Sequence, residues 1–121
     1  MAHTTTQLVS VEQLKQELLP RMLEIEEQLH APETQAKFNN STNPIVKANF
    51  VKFRLNYSTQ IAKIQNAILE NIATKLQQLE PQLQKALNNL DSELQSLEND
   101  VAILNGIKTV TNLVSQILNF I

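Results

Sequence analysis

The stretch "LQQLEPQLQKALNNLDSELQSLENDVAIL", residues 76–104, decides how the chain is read. Its apolar residues Leu76, Leu79, Leu83 and Leu87 step by 3-4-4, with Pro81 among them. From Leu87 through Leu90, Leu94, Leu97 and Val101 to Leu104 the steps settle into 3-4-3-4-3. That is the heptad spacing of a helix laid against another helix. The same stripe extends upstream through residues 46, 50, 53, 57, 61, 64, 68 and 72. Every step from 46 to 104 is three or four residues, sixteen steps over fifty-eight positions, the period of an α-helix.

Pro81 is the ambiguous point. Either it kinks one long helical region, about 44–104, or it marks the corner of a hairpin. The surrounding "QLEPQLQ" contains no glycine, asparagine or serine to turn the chain. Charge layout favours side-by-side packing. Residues 1–30 carry net −3, residues 31–75 net +4 and residues 76–121 net −3. A basic middle segment between two acidic ones suits a bundle or an antiparallel pair, although each surface pair contributes only ~0–1 kcal/mol.

Upstream, the spacing predicts a helix over about 11–29. Ser10 with Gln13 has the form of a capping box, and Val11, Leu14, Leu18, Met22, Ile25 and Leu29 share one face. Pro20 is expected to kink or split this helix near Leu19. Residues 1–9 read as a flexible polar tail. "HAPETQAKFNNSTNP" reads as a loop over about 30–43, with room for a short helical turn near Glu33–Phe38. Asn43 followed by Pro44 reads as an N-cap with proline at the first helical position.

The closing stretch "VAILNGIKTVTNLVSQILNFI", residues 101–121, holds one charge, Lys108. Asn105-Gly106 is a turn signal, and Gly106 is expected to stop the preceding helix. A last helix over about 107–120 follows. Ile103, Ile107, Val110, Val114, Ile117 and Ile121 line one side of it, with Asn105, Lys108, Thr109, Asn112, Gln116 and Asn119 opposite. Five strongly polar residues, Asn105, Lys108, Asn112, Gln116 and Asn119, argue against a spanning segment, which needs ~20 mostly apolar residues. Contact of this face with a lipid surface or a partner stays open.

The 121 residues contain one glycine, four prolines and no cysteine. Few breakers and abundant leucine, glutamine and asparagine predict one all-α domain, an elongated bundle or hairpin with coiled-coil-like packing. Absent cysteine removes disulfides, thiolate metal sites and cysteine nucleophiles. "MAHTTTQLVS" has neither a basic start nor a long apolar run, so a cytoplasmic protein is expected.

Reactive chemistry finds little material. His3 and His30 make no metal-ligand pair with each other or with a spaced acid. Glu24, Glu26 and Glu27 read as a solvated face. Asp91, Glu93, Glu98 and Asp100 fall between heptad leucines, outside any implied pocket. A phosphate-cradling loop needs several glycines. In "NPIVKANFVKFRLNY", Lys47, Lys52 and Arg54 mix with Phe50, Phe53 and Tyr57, as in nucleic-acid binders. The aromatics sit on the buried stripe, however, and the chain is net negative, which disfavours nucleic acid.

The expected function is therefore non-catalytic: a helical protein–protein interaction or assembly module with no cofactor and no bound metal. Its expected partner is a second copy of itself or another helical protein. Leu87, Leu90, Leu94, Leu97, Val101 and Leu104 are the candidate helix–helix contacts. In the alternative reading the amphipathic segment 103–121 associates with or inserts into lipid, through Ile107, Val110, Val114, Ile117 and Ile121.

Overall fold

The computed structural model describes residues 12, 14–67 and 69–119, and among these the protein is all-α, with no strand. Helix α1 spans Leu19–His30, α2 Pro32–Asn39, α3 Pro44–Gln65, α4 Leu69–Ser96 and α5 Asp100–Leu118. The heaviest packing joins α5 to α4 and to α3, and α1 adds contacts to both α3 and α4. The four long helices thus close a ring in the order α1–α3–α5–α4. An aliphatic core runs through it, from Leu14 and Met22 to Leu90, Ile107 and Ile117.

Each boundary follows from local chemistry. Leu14–Leu18 forms one π-helical turn that passes into α1 at Leu19. The change falls where Pro20, lacking an N–H, interrupts an α-type ladder; a wider turn accommodates this. Residues 1–11, with the expected tail and capping box, lie outside the described residues, as do Gln13 and Ile121. The expected loop over 30–43 is mostly helix. Ala31 is extended (ψ 144°), and Pro32 starts α2 at the first helical position. Phe38 from α2 stacks on Phe50 of α3, ring centroids 4.0 Å apart, and this burial holds the short helix in place. The Asn43 side chain accepts hydrogen bonds from the backbone N–H groups of Ile45 (2.9 Å) and Val46 (3.4 Å), capping α3 as the sequence indicates.

The long helical region over 44–104 is broken twice, and neither break is at Pro81. The first follows Gln65, where the Asn66 side chain donates to the Ala62 carbonyl (2.9 Å) and closes the end of α3. The second lies between Ser96 and Asp100. Leu97 takes a left-handed conformation (φ 52°), and its N–H donates to the Glu93 carbonyl (3.0 Å). Asn99 then caps α5, its side chain accepting from the N–H of Ala102 (3.0 Å). Pro81 lies within α4 on its exposed side, so the hairpin corner is some sixteen positions further on. An exposed proline leaves the orphaned carbonyl one turn back within reach of water, which is why the helix tolerates it.

Gly106 does not end a helix. It lies inside α5, which begins at Asp100 rather than near 107. A methyl group at Gly106 would meet Leu90 Cδ1 at 3.0 Å and Leu90 Cβ at 3.4 Å. The glycine is therefore a point of close approach between α4 and α5, which run antiparallel across the short turn.

Candidate functional site

Leu87, Leu90 and Leu94 of α4 and Leu104 of α5 are buried within the single chain. Leu97 is half-buried in the turn. Val101 is 60 % exposed and takes no part in this core. Its place in the heptad is lost because the chain turns at Leu97–Asn99, so a stripe that is straight in sequence is folded back in space. The seam's demand for cover is met internally by α5, and a second copy is not needed to supply it.

Ile107, Val110, Val114 and Ile117 lie in the same core. By length and composition α5 is long and apolar enough to cross a membrane. Its apolar face is nevertheless directed at α3 and α4, and lipid contact through these four residues would require α5 to leave the bundle.

The ionisable groups of the described residues lie apart from one another or pair singly. Among the described residues, no three histidine, aspartate or glutamate side chains converge in a way suited to a metal ion. His30 Nδ1 lies 2.9 Å from the Glu26 carbonyl at an exposed helix end. Asp91 accepts a hydrogen bond from Gln28 (3.0 Å), tying α1 to α4. Asp100 lies 3.6 Å from the Lys37 ammonium, joining the start of α5 to α2. A shallow groove between α4 and α5, at Asn89, Glu93, Asn105 and Thr109, offers one ionisable group and no nucleophile–base pair.

The deeply buried polar contact is Tyr57. Its hydroxyl donates to the Met22 carbonyl (2.7 Å), fastening α3 to α1. Burial first, and the nearby charge of Glu26 second, hold the phenol far above its ordinary value near 10. Tyr57 is locked in the core, which makes it a structural group rather than a reactive one.

What distinguishes the surface is α3. Its inner stripe of Phe50, Tyr57, Ile61 and Ile64 is buried, as the periodicity implies. A second apolar line runs along its outer side. Pro44, Ala48, Val51, Leu55 and Ala62 are exposed, and Ser58 is half-exposed. These positions step by 4-3-4-3-4, again a heptad. Of the large hydrophobic side chains exposed among the described residues, Ile45 (68 %), Val51 (53 %) and Leu55 (65 %) are on α3, and Val101 is on α5. The exposed residues of α4 from Glu70 to Ser96, by contrast, include Gln78, Gln82, Asn88, Asn89 and Gln95, and no leucine or valine.

Cations flank the outer line. Lys47 and Arg54 lie along one margin and Lys52 and Lys63 along the other, and α3 contains no acidic residue. The Arg54 guanidinium sits over the Phe50 ring, 5.1 Å from its centroid. Lys52 also shares a groove between α3 and α5 with Lys108, Asn56 and Asn112. In the sequence this surface is masked by the inner stripe, which already accounts for the helical period; its signal is a second set of small and aliphatic residues at heptad spacing.

No protein-family model matches this chain, and no curated protein or solved structure matches it either.

Proposed function

We propose that the protein is a non-catalytic helical interaction module whose contact surface is the outer face of α3. The observation that carries this reading is the uncovered apolar line Ala48–Val51–Leu55–Ala62 with Ile45 beside it; among the described residues the other large exposed hydrophobic, Val101, stands alone. Isolated exposed hydrophobics are ordinary; a continuous row at heptad spacing is the form in which a helix offers itself to another helix. We read the Leu87–Leu90–Leu94 row as coiled-coil-type packing spent inside the chain, which leaves α3 as the face for association.

Titration with amphipathic helical peptides, followed by backbone amide chemical shifts of the full chain, tests this. The expected result is perturbation concentrated on the exposed positions of residues 44–63, lost in Val51→Ser/Leu55→Ser. Perturbation confined to α4 or α5, or none with any amphipathic helix, would defeat the reading.

A further inference from the structure

Resting on that reading of α3, we infer that the partner is an acidic amphipathic helix from a different protein, with aliphatic residues along its seam and carboxylates on both margins. Three observations lead there.

The first is the charge of the margins. In a heptad seam built on Ala48, Val51, Leu55, Ser58 and Ala62, the positions bordering the apolar line carry Lys47 and Arg54 on one side and Lys52 on the other. Border positions set partner choice and orientation in helix pairs. With no acid anywhere on α3, only a partner bearing carboxylates at its own borders meets all three favourably. Lys108 of α5, lining one groove with Lys52, extends the same positive field.

The second concerns a second copy of this chain. Two α3 helices seated on each other in parallel bring Lys47 against Lys52; seated antiparallel, they bring Lys47 against Arg54. Either arrangement sets cation on cation, which selects against self-pairing. Docking α3 onto α4 of a second copy fares no better, since the exposed Gln78, Gln82, Asn88, Asn89 and Gln95 leave the apolar line against amides.

The third separates a helix from a membrane. Half of the outer line is small: Ala48, Ser58 and Ala62. Small seam residues let another helix approach closely but add little area for insertion into lipid, where large aliphatic and aromatic side chains are used.

The test uses the full chain with two labelled helical peptides of four heptads, leucine at the seam positions and either glutamate or lysine at the borders. Fluorescence anisotropy reads binding. Vesicles of phosphatidylcholine, with and without phosphatidylserine, form a third arm read by co-sedimentation. The glutamate peptide is expected to bind about tenfold or more tighter than the lysine peptide, with the preference shrinking as salt rises. Lys47→Glu/Lys52→Glu, two exposed positions, is expected to reverse the preference. Equal binding of both peptides, a preference unmoved by that variant, or pelleting with phosphatidylserine vesicles without binding of the glutamate peptide would each overturn the acidic-helix inference. If both peptides bind equally and Val51→Ser/Leu55→Ser abolishes both, α3 stands as the contact surface and only the partner class is wrong. If neither peptide binds and neither vesicle pellets the chain, both conclusions fall.

Discussion

Helices α3 and α4 carry the same apolar period and end in different situations. On α4 the stripe Leu76, Leu79, Leu83, Leu87, Leu90 and Leu94 is buried, and the opposite side is a row of amides with a few charges. On α3 Phe50, Tyr57, Ile61 and Ile64 of the inner stripe are buried and Val46 and Phe53 half-buried, yet the outer side repeats aliphatic residues and adds cations. One helix has a single face to cover, and the bundle covers it. The other has two, and the bundle covers one. Periodicity reports how many faces a helix must hide only when both sides of the wheel are read.

The sharpest way to break this comparison is a pair of matched truncations. Leu90→Ala, at a fully buried position set against Gly106, is expected to cost about 2–5 kcal/mol in chemical denaturation. Leu55→Ala on the outer line is expected to stay within about 0.5 kcal/mol. A large cost at Leu55 would mean that the outer face is already covered in the isolated protein.

A smaller effect tests how α3 is fastened. Tyr57→Phe removes the hydrogen bond to Met22 and is expected to cost about 1 kcal/mol at neutral pH. It also changes the alkaline limb. The folded state holds the phenol protonated well above its ordinary value of 10.0, so the stabilisation is complete below pH 10 and declines above it, as the unfolded chain ionises. Denaturation midpoints followed from pH 8 to 11 should therefore fall more steeply for the parent than for Tyr57→Phe. Parallel curves would show that Tyr57 is not shielded.

The mildest change sharpens the other side. Leu97 occupies left-handed backbone that costs a non-glycine residue roughly 1 kcal/mol. Leu97→Gly relieves that strain and forfeits a half-buried side chain, so the net change is expected to lie within about 1 kcal/mol. A loss of several kcal/mol would show that Leu97 anchors the α4–α5 corner by packing.

Much of the architecture was legible beforehand: helix throughout, the Asn43 cap, and the burial of Phe50, Tyr57, Ile61 and Ile64 and of the leucines from 76 to 94, with Val46 and Phe53 half-buried at the margin. Its breaks were not, because the apolar period continues through Asn66 and Leu97 while the chain turns. Asn66 closes its helix with a side-chain bond, and Leu97 adopts a conformation usually left to glycine; neither announces itself by type. Pro81 and Gly106 misled in the opposite direction. Both are recognised breakers, and both sit inside helices, one because it faces solvent and the other because a neighbouring helix needs its missing methyl. Asn99-Asp100 was the better signal for the start of α5, a capping side chain followed by an acid in the first turn. The outer line of α3 was written at heptad spacing in the sequence, hidden by the stronger inner one.

The lone glycine has a consequence for how this sequence can drift. At position 106 the space against Leu90 admits almost nothing, so a saturation library should retain glycine and alanine there and reject branched or aromatic residues. Position 81, exposed in mid-helix, should accept nearly any residue, and most replacements should improve fitness under thermal selection. Of the two residues that look alike as punctuation, one is a spacer confined to the smallest side chains and the other is dispensable.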